Sequence, residues 1–101
     1  MAYRLNKLPL IHPGQVLKGF IEDYGLTEYR LAKDINVSPR RINEITHGKR
    51  AVTVDTALRL AAYFGNSRQF WLNAQQTFEL ARAAEQRLPE RISKEVRRVT
   101  G

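Results

Sequence analysis

Cysteine is absent from the 101-residue sequence, and so are long apolar runs. Without cysteine, the chain cannot form disulfides, present a thiol nucleophile or bind a metal through thiolates. No apolar segment approaches the roughly 20 residues that a membrane-spanning helix needs. The N-terminus also lacks the hydrophobic segment and small-residue cleavage site of a signal peptide. These absences predict a cytoplasmic protein that does not bind a membrane.

Recognisable catalytic patterns are also lacking. The sequence has no glycine-rich phosphate loop, no paired carboxylates in a familiar frame and no nucleophile with an obvious base. Its two histidines, His12 and His47, lie far apart in the sequence, and no further ligands accompany them. We therefore expect no enzymatic activity, no metal, no other cofactor and no small-molecule substrate.

An excess of positive charge is the first feature that the sequence does contain. Lys and Arg outnumber Asp and Glu by 17 to 10, which gives a net charge of +7 and a pI of about 10.3. Such an excess favours a polyanionic partner, although many soluble proteins are basic for other reasons. The length fits one domain with at most a short arm or tail.

The segment from Glu28 onward has the pattern of a helix-turn-helix. Asn36 is suited to the sharp turn between two short helices, because Asn tolerates a positive φ better than most residues do. Ser38 has the side chain of an N-cap, and Pro39 suits the first position of a helix. Ala32 is small at the place where the second helix is predicted to pass closest. The inward apolar residues are Leu31, Ile35, Val37, Ile42 and Ile45.

Three further helices are predicted around this pair, which makes the fold all-α. One begins at His12 and stops at Gly25, one is capped by Thr53 and stops at Gly65, and one begins after Ser67. Short connections join the five helices into a compact domain that spans residues 12–85.

Two segments flank this domain. Residues 1–11 are predicted to be an extended arm that either caps the core or binds a partner. Residues 86–101 are a basic tail, whose apolar residues recur at a spacing that allows an additional, amphipathic C-terminal helix. Because a short isolated helix is not stable, its apolar stripe needs a surface to lie on, either of its own domain or of a partner. The stripe consists of Leu88, Ile92, Val96 and Val99.

The outward face of the second helix of the pair is predicted to read DNA bases. An α-helix fits the major groove, and arginine can donate two hydrogen bonds to guanine, a role that suits Arg40 and Arg41 in the first turn. Glu44 can accept from cytosine, and Asn43 can read adenine or contact a phosphate. The alternative is an ordinary solvated polar face.

Phosphate contacts are predicted at the edges of this face. Such contacts position a protein on DNA without reading its sequence. Backbone N–H groups at the start of the helix after Thr27 can bind phosphate in the same way. For the basic pair Lys49-Arg50, the alternative is charge that serves only solubility. The predicted phosphate contacts are Thr27, Glu28, Ser38, Thr46, Lys49 and Arg50.

Three large aromatic residues, Phe70, Trp71 and Phe78, share one face of the last predicted helix. The first interpretation is that they anchor this helix in the core. The second is that part of the face forms a dimer interface, where aromatic residues are enriched.

Three segments of the chain carry a resemblance to a known family. They read IHPGQVL, LAKDINVSPRRINEITHGKRAVTVDTALRLAAYFG and SRQFWLNAQQTFEL. Together they resemble the HigA-type antitoxins, or virulence-associated protein I family, of the Xre/Cro-like helix-turn-helix superfamily. The helix-turn-helix alone indicates only the superfamily, whereas the HPG, GKRAVT and FWLNAQ segments are more specific.

The resemblance implies a compact lambda-repressor-like domain that forms a homodimer on a palindromic operator in its own promoter. It also implies a protein partner, a HigB-type (RelE-like) mRNA interferase toxin, which the antitoxin neutralises. The family's base-facing positions fall on Pro39, Arg40 and Glu44, with Arg41 and Asn43 beside them. Pro39 departs from the polar residue that is common there and can offer only an apolar contact. Arg40 and Arg41 are therefore expected to make most of the base contacts.

The leading hypothesis is therefore a DNA-binding antitoxin that represses its own operon. One alternative is a toxin-blocking interaction module that makes little use of DNA. Another is a stand-alone transcription regulator without a toxin partner.

Overall fold

The computed structural model of the chain describes residues 10–100, where all regular secondary structure is helical. This confirms the predicted all-α fold with its five helices, and the additional C-terminal helix is present. Residues 1–9 of the predicted N-terminal arm lie outside the described residues. The helices are α1 (Pro13–Asp23), α2 (Glu28–Ile35), α3 (Pro39–Thr46), α4 (Val54–Phe64), α5 (Arg68–Glu85) and α6 (Leu88–Glu95).

Side-chain caps begin the first five helices. In each case a side chain just before the helix accepts a hydrogen bond from a backbone N–H two or three residues further on. These bonds satisfy donors that have no partner within the helix. The capping residues are His12, Thr27, Ser38, Thr53 and Ser67.

All five helices from α1 to α5 contribute residues to one hydrophobic core. Trp71 of α5 is fully buried in it, with its ring centroid 5.0 Å from that of Phe20 on α1. The indole N–H donates to the side-chain oxygen of Asn66, at 3.0 Å, so the buried polar atom has a partner. The other buried apolar residues of this core are Leu17, Ile21, Leu31, Ala32, Ile35, Ile42, Ile45, Val52, Ala57 and Leu60.

At Gly14, α1 approaches the backbone of α3 so closely that no side chain fits. A Cβ atom at this position would lie 1.8 Å from the carbonyl oxygen of Ile45. The ring of His12 lies beside Gly48, where an added Cβ would be 3.8 Å from it. The HPG segment therefore seats the first turn of α1 on the last turn of α3.

The imidazole of His12 is buried and acts as the cap of α1. Its Nδ1 accepts the backbone N–H of Gly14 at 2.9 Å, and its ring packs edge-on against Phe78 of α5, with centroids 4.9 Å apart. Burial, and then the nearby positive charge of Arg82, lower the pKa of His12 from its ordinary value. Neutral imidazole suits this position, because a protonated Nδ1 cannot accept a hydrogen bond.

Two details of the apolar pattern differ from the predictions. The helical spacing of the apolar residues in α4 also predicts Leu58 on its buried face, beside Ala57 and Leu60, but Leu58 is 45% exposed, so that prediction was wrong. The C-terminal helix ends at Glu95, because Val96 takes an extended backbone conformation. Val96 and Val99 consequently lie beyond the helix rather than on its stripe. No residue of α6 is buried, and the helix packs on α5.

Gly14→Ala should destabilise the fold, because the new methyl group would collide with backbone rather than with a movable side chain. Forcing such a group into a packed site costs about 1–3 kcal/mol or more. Gly19→Ala is the matched control on the same helix, since a Cβ there meets nothing within 4 Å. It should stabilise the protein by about 0.5–1 kcal/mol, because alanine favours helix. Urea denaturation of the two variants checks both signs, and equal stabilities would contradict the seating of α1 on α3.

Folding stability should fall as the pH drops below about 6.5, the ordinary pKa of histidine. The lowered pKa of His12 means that the unfolded chain binds the proton first, so acid favours unfolding until the pH passes the folded-state value. His12→Asn keeps a capping acceptor but does not titrate, so its stability should depend less on pH over this range. Denaturation midpoints measured across the range test this, and an unchanged dependence would contradict the role of His12.

Candidate nucleic-acid interface

The predicted helix-turn-helix is formed by α2 and α3. Asn36 ends α2 in the left-handed conformation, with φ 60° and ψ 50°, and Ser38 accepts the backbone N–H of Arg41 at 3.1 Å as the cap of α3. Ala32 is completely buried, in agreement with its predicted place between the helices. The sharp turn, the cap and the small residue therefore act as the sequence pattern predicts.

Arg40 is the most prominent side chain on the outward face of α3. Its side chain is 83% exposed, and its Nε donates to the carboxylate of Glu44 one turn further on, at 2.8 Å. Arg50, from the loop after α3, donates to the other oxygen of the same carboxylate, also at 2.8 Å. Hydrogen bonds from Arg40 and then Arg50 lower the pKa of Glu44 from its ordinary value, which keeps the carboxylate ionised.

Arg41 turns away from the outward face, which corrects its predicted position beside Arg40. Its guanidinium donates to Asp55 of α4 at 2.7 Å, and its side chain is only 31% exposed. Asp55 also pairs with Arg59 at 2.9 Å, and these hydrogen bonds, from Arg59 first and Arg41 second, lower the pKa of Asp55. Arg41 therefore ties α3 to the start of α4 and is poorly placed to reach a base.

Glu28, at the start of α2, holds two side chains of α3. Its carboxylate accepts from the side-chain amide of Asn43 at 3.1 Å and from the hydroxyl of Thr46 at 2.8 Å. Thr46, a predicted phosphate contact, is only 4% exposed, which corrects its predicted place at the accessible edge of the outward face. Because a carboxylate only accepts, the amide nitrogen of Asn43 must face Glu28, while its oxygen is left for another donor. The carboxylate of Glu28 thus links the two helices, and any phosphate contact of this residue falls to its backbone N–H.

The remaining predicted phosphate contacts are accessible. Thr27 and Ser38 use their hydroxyl oxygens as acceptors in the two caps, so each hydroxyl hydrogen can still be donated to a phosphate. Lys49 and Arg50 are exposed in the loop that follows α3. Thr27 and Ser38 begin α2 and α3, and Lys49 and Arg50 follow the end of α3.

Comparison with known proteins gives the same picture. A helix-turn-helix family profile matches residues 17–71. Virulence-associated protein I of Dichelobacter nodosus is 48% identical over 79 residues, which cover 77% of this chain and 73% of the relative.

Solved structures extend this likeness to the whole fold. Pseudomonas aeruginosa antitoxin HigA, solved with the higBA promoter, has a TM-score of 0.81 at 32% identity, over 91% of this chain and 100% of that one. Antitoxin GraA, solved in complex with its operator, has a TM-score of 0.82 at 33% identity, over 93% and 95% of the two chains. The chain belongs to the HigA-type family of helix-turn-helix proteins.

A buried hydrogen bond joins two of the segments that resemble the HigA-type family. Gln75, at the end of FWLNAQ, accepts through its side-chain oxygen the backbone N–H of Val52 in GKRAVT, at 2.8 Å. This bond fastens the loop that carries Lys49 and Arg50 to α5. Sequence reasoning missed Gln75 and Asp55. The available signals were a polar residue within an apolar helix face and a carboxylate in the first turn of a helix.

The aromatic residues of α5 have different surroundings. Trp71 is fully buried within this chain, so its candidacy for a dimer interface was wrong and the core interpretation is confirmed for it. Phe78 is half-buried and packs against His12, with the guanidinium of Arg82 4.9 Å from its ring centroid. Phe70 is exposed and remains a candidate for a dimer contact.

Groups of metal ligands and membrane-spanning helices are both absent from residues 10–100. No group of three or more His, Asp or Glu side chains there is close enough to hold a metal ion. None of the helices in this range combines the length and the apolar character that crossing a membrane requires.

Proposed function

We propose that the protein is a sequence-specific DNA-binding antitoxin that represses its own operon and neutralises a HigB-type mRNA interferase. The observation that carries the DNA part is the highly exposed side chain of Arg40 on a helix whose other face is buried in the core. An Arg in the first turn of a helix that enters the major groove is placed to contact guanine. The family's solved members with promoter or operator DNA support the same role.

Base reading in this proposal rests mainly on Arg40. The guanidinium of Arg41 is tied to α4, and Pro39 can offer only an apolar contact. Asn43 has a free amide oxygen next to the groove-facing surface and is the second candidate reader. The hydroxyls of Thr27 and Ser38 and the positive charges of Lys49 and Arg50 supply phosphate contacts.

We propose further that the protein acts as a homodimer. A two-fold symmetric dimer presents two copies of α3, one to each half of a palindromic operator. Several apolar side chains on and after α5 are left exposed in the single chain and can be covered by a second copy. They are Phe70, Leu80, Ile92 and Val96. Sedimentation at the mass of one chain, 11.7 kDa, would contradict this part of the proposal.

Arg40→Ala and Lys49→Ala should weaken DNA binding in different ways. Loss of Arg40 should cost about 1–3 kcal/mol on the operator and relax the preference at one base pair, because a base contact is removed. Loss of Lys49 should weaken binding to operator and random duplexes alike and flatten the dependence of log Kd on log salt by about one unit. Fluorescence anisotropy titrations at several salt concentrations measure both effects.

Arg91→Ala is the control for these two variants, since it removes one exposed positive charge from α6. It should leave the base preference unchanged. Equal loss on operator and random duplexes for Arg40→Ala would overturn the assignment of Arg40 as a base reader.

Coexpression with the product of the adjacent reading frame tests the antitoxin part. A basic protein of toxin size should copurify with the chain, and the chain should restore growth of cells that express that protein. Operator binding without copurification or rescue would favour a stand-alone transcription regulator. Rescue without any operator preference would favour a toxin-blocking module that does not use DNA.

A further inference from the structure

Glu44 was predicted to accept a hydrogen bond from cytosine, but its surroundings point to another role. Its side chain is only 24% exposed, although it lies on the outward face of α3. One carboxylate oxygen accepts from Arg40 and the other from Arg50, with both distances at 2.8 Å. A base edge that approached this carboxylate would therefore meet the two guanidinium groups first.

The contact between Arg40 and Glu44 engages one particular nitrogen of the guanidinium. Nε donates to the carboxylate, and this leaves the two terminal nitrogens for other acceptors. Two parallel N–H groups of an arginine match the O6 and N7 atoms of guanine. Fixing Nε also restricts the rotation of a long side chain before DNA binds, so less conformational entropy is lost on binding.

Arg50 is held by the other oxygen of the same carboxylate. Its Nε donates to Oε1 of Glu44 at 2.8 Å, and its Nη2 lies 2.8 Å from the same oxygen as an ion-pair contact. Arg50 lies in the loop after α3, and the backbone N–H of the preceding Lys49 donates to the carbonyl of Glu44 at 2.7 Å. Glu44 thus connects a predicted base-reading arginine with a predicted phosphate-binding arginine.

From this geometry we infer that Glu44 is a positioning residue, which presents Arg40 to a guanine and Arg50 to the adjacent phosphates, and that it does not itself read a base. The inference rests on the proposed DNA-binding function and assigns the specificity at this part of the site to the pair of Arg40 and Glu44. The carboxylate orders the side chains of Arg40 and Arg50, although its negative charge alone would repel DNA.

Glu44→Gln distinguishes a residue that positions arginines from one that reads a base. The substitution removes the charge and keeps the size of the side chain. The variant should fold, since exposed ion pairs contribute little to folding stability. Its preference at the base pair that Arg40 reads should fall roughly threefold to tenfold, the equivalent of ordering one long side chain. Its affinity for random duplexes should rise, because a negative charge has been removed from the DNA-facing surface.

The measurement is a set of titrations with duplexes that each carry one substitution in the operator, for wild type, Arg40→Ala, Glu44→Gln and the double variant. Glu44→Gln should lose preference at the same base pair as Arg40→Ala, and the double variant should lose no more than Arg40→Ala alone. Asp34→Asn is the matched control. Asp34 accepts from Nε of Arg30 at 2.8 Å in an equivalent pair on α2, so this variant has the same charge change but should keep the base preference.

Loss of preference at a different base pair would show that Glu44 reads that base and would overturn the inference. An unchanged profile in Glu44→Gln would also overturn it, while the proposed function would stand because wild type still prefers its operator. A wild type without preference for any duplex would contradict the proposed function and the inference together.

A second readout needs no DNA: the Nε–H proton of Arg40 should exchange more slowly in wild type than in Glu44→Gln, and equal exchange rates would count against the inference.

Discussion

The proposed DNA-facing surface depends on the contact between the first turn of α1 and the last turn of α3. At Gly14 the two backbones leave no room for a methyl group beside the carbonyl of Ile45, and the imidazole of His12 packs beside Gly48. An eight-residue helix such as α3 is not stable alone. Its stability comes from burying Ile42 and Ile45 completely, and this burial in turn fixes which residues remain outside.

Ion pairs give the two neighbouring arginines of α3, Arg40 and Arg41, different positions. Arg40 and Arg41 each pair with a carboxylate, but the two carboxylates lie in different directions. Glu44 is one turn along the same outward face, so Arg40 stays at the surface. Asp55 begins the next helix, so Arg41 is drawn to the side and joins α3 to α4. Arg40 is thereby left at the surface, while Arg41 helps to hold α3 in place.

The segments that made the family resemblance specific act mainly through structure. HPG provides the cap and the close approach of α1, while GKRAVT and FWLNAQ are joined by the bond between Val52 and Gln75. That bond controls where the loop carrying Lys49 and Arg50 runs. These segments therefore position the proposed DNA-contacting residues, which include Lys49 and Arg50 of GKRAVT itself.

The sequence by itself determined the helices and the reading hairpin, because caps, turn residues and apolar spacing act over only a few residues. Asn36, Ser38 and Pro39 have their predicted places for this reason. Only the tertiary structure decided which polar side chains of α3 are engaged with other helices, since the partners of Arg41, Asn43 and Thr46 lie 14 to 18 residues away in the chain. Arg41 pairs with Asp55, and Thr46 donates to Glu28. In the same way, packing of the helices decided that Trp71 of α5 is buried in the core. A helical face can be read from local spacing, but the partner that a side chain meets there depends on how distant helices pack.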